Sequence, residues 1–300
     1  MTLLSQYSVI LYSEQSIEEL THCVESEVLN ASVVLFYDTT FELGDFFLSV
    51  LSYKHPLFAN APTIPLVYML HDRKFEEIHT HFFTTLSNKF KCFNSELNIV
   101  TDREKSIVNS IRKARPLSRH YPCWNHIQRD VKFWLKKHKG TEDDIKTYTS
   151  HVWDLMDSNN ELEFNEKFEK MNNHWTKEFK EYYKSYLKND VLRTVKWKLV
   201  EQNIYIDRSG ITTNAAESLN ALIKRCTDDI GMSSQALVLS LFYLDMYYRK
   251  EILRGKCLQG TFILKPELLE FRLDAETIDW PAEHKNKFKR HSVRIYKERF

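Results

Sequence analysis

Three acidic residues stand where a metal-dependent phosphoryl-transfer site would need them. Asp38 ends the strand predicted from the apolar run 32–37, and Asp102 ends the strand predicted at 96–100. Runs that are apolar on both faces predict buried strands, and parallel strands that end together bring their terminal carboxylates close. Adjacent carboxylates repel each other unless a cation lies between them, and Mg²⁺ prefers carboxylate oxygens. Glu217, on a predicted helix, would complete a two-ion site that activates the attacking oxygen and stabilises the leaving oxygen.

Each of these carboxylates also has a purely structural interpretation. Asp38 precedes two threonines and could form an Asx turn at a strand end. Residues 101–104 form a capping-box pattern, T-x-x-E, which would make Asp102 a first-turn acid stabilised by the helix dipole. Residues 214–217 (N-x-x-E) have the same spacing, so Glu217 could cap its own helix. Three acids in this order on strand, strand and helix nevertheless favour a metal site.

A cysteine and a histidine form a further pair of possible ligands. Cys123 and His126 stand at C-x-x-H spacing before a predicted helix. A structural zinc site needs four ligands, and no second Cys/His pair with suitable spacing follows. We therefore expect a structural role at the start of that helix.

Three tryptophans mark the helical middle of the chain: Trp153, Trp175 and Trp197. We expect them to lie in the core of this region. A stacking role for Trp197 against an unpaired base is the alternative.

The apolar pattern predicts a part with strands and helices, followed by a part that is entirely helical. Strands are predicted at 32–37, 46–53, 64–70, 96–100 and 120–124, and helices at 74–90, 103–113 and 127–139. Beyond residue 140, helical spacing covers 145–156, 162–171, 179–202, a segment from 212 and 234–253. Three meandering strands followed by two crossover strands is the order of the ribonuclease-H-like fold. We predict an α/β fold with a ribonuclease-H-like mixed five-stranded sheet and flanking helices, interrupted by an all-α insertion.

This fold implies five consecutive parts of the chain. They are an N-terminal helical lead-in (1–30), the first part of the core (31–139), the all-α insertion (140–206), the second part of the core with the helix of Glu217 (207–255) and a helical, basic tail (256–300).

Composition excludes several classes of protein. With 43% hydrophobic and 13% aromatic residues, the chain can bury a core, which excludes intrinsic disorder. Its 5 cysteines are scattered, which argues against a disulfide scaffold and a zinc finger and fits a reducing compartment. The first residues lack a signal-peptide pattern, and no run approaches the roughly 20 apolar residues of a membrane span. We expect a soluble intracellular protein without a membrane partner.

Charge is balanced overall but unevenly distributed. The formal net charge is +1, yet segments 112–139 and 285–300 are strongly basic, whereas 141–170 is acidic. Any one such run is ordinarily a solvated helix face, but together they could track the phosphates of a nucleic acid. The predicted contacts to a DNA backbone are Arg112, Lys113, Arg115, Arg119, Arg129, Lys132, Lys136 and Lys137.

Five sequence blocks resemble the Mutator-like (MULE) transposases of the DDE class. They are D-T-T-F within 37–46, P-L-V-Y-M-L at 65–70, T-D-R-E at 101–104, C-W-N-H at 123–126 and T-N-A-A-E-S within 212–220. Each block alone is weak, but all five occur in the order of that family. The resemblance covers roughly residues 35–224, which is most of the chain.

The resemblance implies a ribonuclease-H-like catalytic core that cuts DNA and transfers the strand. Asp38, Asp102 and Glu217 would be catalytic and would hold two Mg²⁺ ions, with Mn²⁺ as a substitute. The implied partners are transposon ends and target DNA, the implied assembly is a homodimer or a larger synaptic complex, and the implied location is the nucleus. Cys123 and His126 are a family signature to which the resemblance assigns no definite role. Trp197 would correspond to a tryptophan near a flipped base.

The sequence departs from the family in its flanking modules. Members usually carry an N-terminal zinc-type DNA-binding domain and often a C-terminal zinc knuckle, and neither pattern occurs in these residues. We therefore expect a catalytic core without its addressing modules, as a fragment, a decayed copy or a domesticated gene. Two other functions stay open: a non-catalytic DNA- or protein-binding protein on the same scaffold, and a ribonuclease-H-like nuclease.

Overall fold

A meander of three antiparallel strands forms the middle of the sheet: β2 (Val34–Leu43), β3 (Phe46–Lys54) and β4 (Thr63–His71). The structure, a computed structural model, describes residues 7–26, 29, 32–43, 46–204, 210–226, 233–276 and 278. Strands β3 and β4 are mostly apolar and buried, as expected for strands in a sheet that helices cover on both faces. The predicted basic segment 285–300 lies outside the described residues.

Three shorter strands extend the meander on both sides. On one side, β5 (Asn98–Thr101) pairs in parallel with β2, and β6 (Arg119–Pro122) pairs in parallel with β5. On the other side, β1 (Ser8–Tyr12) pairs antiparallel with β4. The order is β1-β4-β3-β2-β5-β6, so the described residues form an α/β fold with a mixed sheet of six strands.

The prediction of five strands missed β1. Residues 1–30 were expected to be a helical lead-in, but they contain β1 before the helix α1 (Glu14–Glu25). Every side chain of β1 is half-buried, because the strand lies at the edge of the sheet. Such a strand lacks the alternation of buried and exposed residues that would have identified it from the sequence.

The helices form layers on the two faces of the sheet and a separate bundle. In chain order they are α2 (Glu76–Lys89), α3 (Lys105–Ala114), α4 (Trp124–Lys137), α5 (Glu142–Met156), α6 (Glu161–Asn172), α7 (Lys177–Tyr182), α8 (Lys188–Thr194), α9 (Lys196–Glu201), α10 (Asn214–Cys226) and α11 (Ser234–Lys256). Helices α1, α2 and α3 share a core with one face, and α10 and α11 share a core with the other. Helix α4 packs with α5–α9 in a third core. None of the described helices is long and apolar enough to span a bilayer.

The predicted single helix 179–202 is broken into pieces. A π turn occupies Tyr183–Leu187 between α7 and α8, and Val195 adopts an extended conformation between α8 and α9. Val191, Val195 and Leu199 all lie in the third core.

Candidate active site

Strand register places the two aspartates at the same level of the sheet. The parallel ladder between β2 and β5 ends with Phe36 opposite Val100. Asp38 and Asp102 each lie two residues beyond this pair, so their side chains leave neighbouring strands at one level and on one face. The expectation that Asp38 ends its strand was wrong, because β2 continues to Leu43 as a hairpin arm with β3. Asp38 therefore lies just beyond the end of the parallel pairing with β5.

Charges from two other acids reach Asp38. Burial raises the pKa of Asp38 to about 6, and the carboxylates of Asp102 and Glu217 add to this effect, whereas His126 opposes it. The structure therefore brings the three sequence-predicted carboxylates and His126 near one another. A carboxylate with a raised pKa and two anionic neighbours is a site short of positive charge, which a divalent cation would supply.

An amide on α10 holds Asp38. The Nδ2 of Asn220 donates a hydrogen bond of 2.7 Å to Oδ2 of Asp38. Asn220 is only 6% exposed, and its Oδ1 is buried without a hydrogen-bond partner. Asn220 follows Glu217 by three residues, which places both on one face of α10. Sequence reasoning missed Asn220, although this spacing from Glu217 was the signal that could have found it.

Replacing Asn220 by Ala is expected to raise the pKa of Asp38 further above its ordinary value. The lost N–H donor stabilises only the ionised carboxylate, so its removal favours the protonated form. Carbon-detected NMR titration of the Asp38 carboxyl would measure the change. Ser218→Ala, an exposed position on the same helix, is the matched control and should leave that pKa unchanged. An unchanged Asp38 pKa in the Asn220 variant would show that the amide does not act on this carboxylate.

Cys123 and His126 connect the start of α4 with the segment that leads into α10. The Sγ of Cys123 accepts hydrogen bonds of 3.3 Å from both the backbone N–H and the Oγ1 of Thr213. Although burial opposes its ionisation, His126 and Thr213 hold the pKa of Cys123 below its usual range. In turn, Cys123 keeps the pKa of His126 raised against the effect of burial. A structural role was expected for the pair of Cys123 and His126. In addition, His126 interacts electrostatically with Asp38 and Asp102.

Asp102 and Glu217 make contacts that the capping-box interpretation did not predict. Helix α3 begins at Lys105, and Asp102 lies before it, where its Oδ1 accepts the backbone N–H of Glu104 at 3.0 Å. Thr101 donates to the carbonyl of Asp102 instead of capping the helix. Glu217 accepts a 3.3 Å hydrogen bond from Arg129 of α4. Asp102 is therefore held by a local contact other than the T-x-x-E capping box, and Glu217 contacts Arg129.

The predicted DNA-contacting residues separate into three groups. Arg115 is 4% exposed and donates to Ser87 and to the carbonyl of Ser95, so it is a buried structural residue and not a phosphate ligand. Three are engaged in ion pairs, with Lys113 bound to Glu76, Arg119 to Glu96 and Arg129 to Glu217. The other four are exposed and have no ion pair within the described part of the chain: Arg112, Lys132, Lys136 and Lys137.

Helix α4 carries a basic stripe that begins at the site. Arg129, Lys132, Lys136 and Lys137 lie on the face opposite to the buried Ile127, Val131 and Leu135. Phe133 stands among them with 70% of its surface exposed. From Arg129, beside Glu217, the stripe extends for about 12 Å along the helix.

Replacing Lys132, Lys136 and Lys137 together by Ala is expected to lower DNA affinity uniformly across sequences. The slope of log affinity against log salt should fall by about 3, since each phosphate contact releases counterions. Fluorescence anisotropy over a salt series would measure it. The matched control removes the same charge from exposed lysines of the helical bundle, Lys146, Lys177 and Lys184. Equal losses in both triple variants would contradict a specific role for the stripe.

Trp197 is half-buried and belongs to the core of the helical bundle. Its ring meets Phe164 edge-on, with the centroids 5.6 Å apart. Trp153 packs edge-on against Trp124 at 5.1 Å, and Trp175 is 4% exposed. These contacts agree with the expected core role of the three tryptophans. Base stacking by Trp197 stays a prediction.

A second cluster of possible metal ligands lies away from the carboxylates. Among the described residues, only Glu19, Cys23 and His55 bring three ligand atoms within 4.8 Å of one another. However, the Lys256 ammonium lies 2.7 Å from Glu19 and already supplies positive charge. The Nδ1 of His55 faces the backbone N–H of Leu57, whereas a metal-bound histidine normally donates from its second nitrogen. These contacts favour an internal ion-pair network, with the pKa of Glu19 lowered to about 2.

The Asp38 cluster has donors suited to a different ion. Asp38, Asp102 and Glu217 offer only oxygen, as Mg²⁺ and Mn²⁺ prefer, and the Oδ1 of Asn220 is a further buried oxygen without a partner. The three carboxylates are not gathered within 4.8 Å of one another. A site for two ions does not need such closeness, because the ions themselves stand about 3.5–4 Å apart. The residues present therefore fit divalent cations with oxygen ligands.

The site thus combines an acidic cluster, beyond the parallel pairing of β2 and β5, with a basic helix beside it. A comparison with family-level sequence models matches residues 66–239 to the family described as Transposase, Mutator family. The match covers more than half of the chain, which therefore belongs to the Mutator family of transposases. The matched segment contains Asp102, Cys123, His126 and Glu217, whereas Asp38 precedes it. A comparison with curated proteins gave no match.

Proposed function

We propose that this chain is the catalytic core of a cut-and-paste transposase that cleaves and transfers DNA strands. Membership in the Mutator family supports a DNA-cutting enzyme and DNA as the partner in general. The observation that supports the finer proposal is that Asp38 of β2, which a 2.7 Å hydrogen bond joins to Asn220 of α10, also lies within electrostatic reach of Asp102 after β5 and of Glu217 on α10. A divalent cation would compensate both the burial of Asp38 and its repulsion by the two other carboxylates.

The order of the strands supports a ribonuclease-H-like core. Without β1, the order is β4-β3-β2-β5-β6, a meander of three strands followed by two parallel crossovers. The bundle α5–α9 lies in sequence between Asp102 and Glu217, as expected for an all-α insertion. The predicted boundaries at 31–139, 140–206, 207–255 and 256–300 remain part of this proposal.

Each residue has a distinct task in the proposed reaction. Two Mg²⁺ or Mn²⁺ ions would supply the charge stabilisation of in-line phosphoryl transfer. Asp38 and Asp102 would hold them at the sheet, Glu217 would close the site from α10, and Asn220 would orient Asp38. Arg129, at 3.3 Å from Glu217, is placed to meet the phosphate that enters between α4 and α10. The stripe on α4 would then hold the flanking backbone without reading bases.

The test is Mn²⁺-dependent nicking of a supercoiled plasmid. Asp102→Asn and Glu217→Gln are expected to lose at least a hundredfold in rate while retaining the far-UV spectrum of the wild type. Glu96→Gln, a carboxylate near β5 that pairs with Arg119, is the matched control and should keep full activity. Undiminished nicking by Asp102→Asn would contradict the proposed catalytic role of Asp102.

Two outcomes would redirect the proposal to the alternatives. Salt-dependent DNA binding that needs no divalent ion, with no Mn²⁺ binding at Asp38, would favour a non-catalytic DNA-binding protein. Cleavage of RNA or RNA–DNA hybrids in preference to DNA would favour a ribonuclease-H-like nuclease. Nuclear location is part of the transposase proposal, and imaging of the tagged chain in its own cell would test it.

A further inference from the structure

Arg103, which directly follows Asp102 in the chain, contacts three separate elements. Its Nε donates a hydrogen bond of 2.6 Å to Oδ2 of Asp190 on α8. Its Nη1 donates to Oδ2 of Asp130 on α4, and its Nη2 donates to the carbonyl of Tyr186 in the π turn between α7 and α8. Each nitrogen of one guanidinium is therefore bound to a different element, and π turns of this kind are frequent at functional sites.

The shape of the guanidinium suits this set of contacts. An arginine spreads its N–H groups as a planar fork, whereas a lysine ammonium is a compact point charge. The side chain of Arg103 is only 19% exposed, and its partner Asp190, at 21%, also binds Arg193. The two cations balance the carboxylates of Asp190 and Asp130. A partly buried ion-pair cluster adds little net stability, and its best-attested use is to fix one arrangement of the chain.

The contact of Arg103 with α4 lies beside the basic stripe. Asp130 is the only acidic residue in the basic segment 112–139. It directly follows Arg129, where the stripe begins and where α4 binds Glu217 of α10. Helix α4 is thus attached at two points next to the acids. Arg129 joins it to α10, and Arg103 joins it, through Asp130, to the segment that follows β5.

The helical bundle (α5–α9) has another attachment to the sheet, so folding does not depend on Arg103. The Oγ1 of Thr194 donates to the carbonyl of Pro122 in β6, and the carbonyl of Thr194 accepts the indole N–H of Trp124. The third core, which holds α4 and the bundle together, does not include Arg103. Thr194 is the last residue of α8, whereas Arg103 binds the first turn of that helix. Without Arg103, α8 and the π turn can tilt about the attachment at Thr194.

We propose that Arg103 is a positioning residue, which locks α4 and the helical bundle onto the segment of Asp102. In the proposed reaction Asp102 holds metal ions, whereas the stripe on α4 holds the DNA backbone. Phosphoryl transfer then needs a fixed distance between these two places, because a displacement of about 1 Å can cost a hundredfold in rate. The catalytic consequence rests on the proposed function. The locking itself does not.

Pulsed electron spin resonance tests the locking without any activity. Nitroxide labels would be attached to Glu77→Cys on α2 and Glu166→Cys on α6, two exposed positions, with the unsubstituted chain as the background for its own 5 cysteines. With Arg103 present, one narrow distribution of label distances is expected. Arg103→Ala should broaden it and leave the far-UV spectrum unchanged. Arg249→Ala is the matched control, since it removes an ion pair that lies within α11. An unbroadened distribution in Arg103→Ala overturns the proposal.

Nicking rates measured against DNA concentration test the catalytic consequence. Arg103→Ala is expected to lose about tenfold to a hundredfold in kcat with little change in KM, because its N–H groups bind protein partners and not DNA. Arg103→Lys, which keeps the charge but not the fork, should be impaired as well. Low concentrations of guanidinium should restore part of the rate of Arg103→Ala, whereas methylammonium at the same ionic strength should not. Arg249→Ala should keep the wild-type rate.

The two measurements separate the positioning role from the proposed function. If the wild type does not nick DNA, the proposed function fails, and the label distances still decide whether Arg103 locks the bundle. A rise in KM alone would make Arg103 a DNA ligand. Full activity of Arg103→Lys, or equal rescue by methylammonium, would show that only a positive charge is needed. Each of these last results contradicts the positioning role.

Discussion

Asp38→Asn is expected to stabilise the metal-free protein at pH 8 while removing its strand-cleavage activity. Burial and the neighbouring carboxylates raise the pKa of Asp38 from 3.8 to about 6. An acid whose pKa is raised in the folded state binds a proton more tightly there, so the fold loses stability as pH rises through this interval. The loss is complete above pH 6 and amounts to about 3 kcal/mol, at 1.36 kcal/mol for each pKa unit.

The amide of the variant carries no charge and avoids this loss. At pH 4 both proteins should have similar stability, and the difference should grow until about pH 6 and then stay constant. For a chain of this size the melting temperature at pH 8 is expected to rise by about 5 °C. Thermal and urea unfolding in EDTA across pH 4–8 would measure it. Added Mg²⁺ or Mn²⁺ should stabilise the wild type more than Asp38→Asn, because the variant lacks one of the three carboxylates proposed to bind the ions.

Glu166→Gln provides the matched control for the loss of one negative charge. Glu166 is exposed on α6 and far in sequence from the acidic cluster. Its replacement should change the melting temperature little and leave the effect of Mn²⁺ intact. If Asp38→Asn is less stable than the wild type at pH 8, the carboxylates are not in electrostatic conflict and the metal site loses its main support.

The convergence of the acids could be predicted because it depends on strand order. Asp38 and Asp102 each follow a predicted strand, and the order of the predicted strands makes these two parallel neighbours in an α/β sheet. A prediction from the sequence needs only the order of the strands to bring these residues together. The prediction does not depend on where each strand ends. The incorrect prediction that β2 ends at Asp38 therefore did not affect the predicted proximity of the two aspartates.

The contacts around the acids depend on three-dimensional packing and could not be predicted in the same way. Asn220 reaches Asp38 across 182 positions of sequence. Arg115 belongs to a basic run, yet its guanidinium is buried against Ser87 and Ser95, which the run itself does not reveal. Charge patterns indicate where a polyanion could bind, but only packing decides which basic side chains stay exposed.

Strand β1 and the interruptions of the predicted helix 179–202 were missed for a related reason. The five residues of β1 are stable only because β4 supplies a partner, so their local pattern carries little information. In the bundle, the periodic segment 179–202 predicted one helix, but a π turn at Tyr183–Leu187 and the extended conformation of Val195 interrupt it. Tertiary contacts override local periodicity in both places.

Gly210→Ala is expected to be among the most destabilising single substitutions in the chain. Gly210 has φ +74°, a conformation that costs a residue with a side chain about 1 kcal/mol or more. A Cβ at this position would also overlap the indole ring of Trp124. The ring cannot move away easily, since it is 1% exposed and its Nε1 donates to the carbonyl of Thr194 at 2.9 Å.

The damage should reach the proposed active site. The backbone N–H of Trp124 donates to the carbonyl of Ile211 at 3.0 Å, and Thr213 then binds Cys123 just before α10 begins. A shift of Gly210 therefore moves the segment that positions Glu217. The expected cost is about 3 kcal/mol in the free energy of unfolding, together with a loss of Mn²⁺ affinity.

Urea denaturation and Mn²⁺ titration would check this, with Gly140→Ala as the matched control. The nearest atom to a Cβ at Gly140 is the Leu135 carbonyl at 3.2 Å, and its φ lies in the ordinary region, so a cost below about 1 kcal/mol is expected. A double-mutant cycle isolates the overlap, because Trp124→Leu should cost less in the Gly210→Ala variant than in the wild-type chain. Equal costs of Trp124→Leu in both backgrounds would show that backbone strain alone, and not the indole ring, requires glycine here.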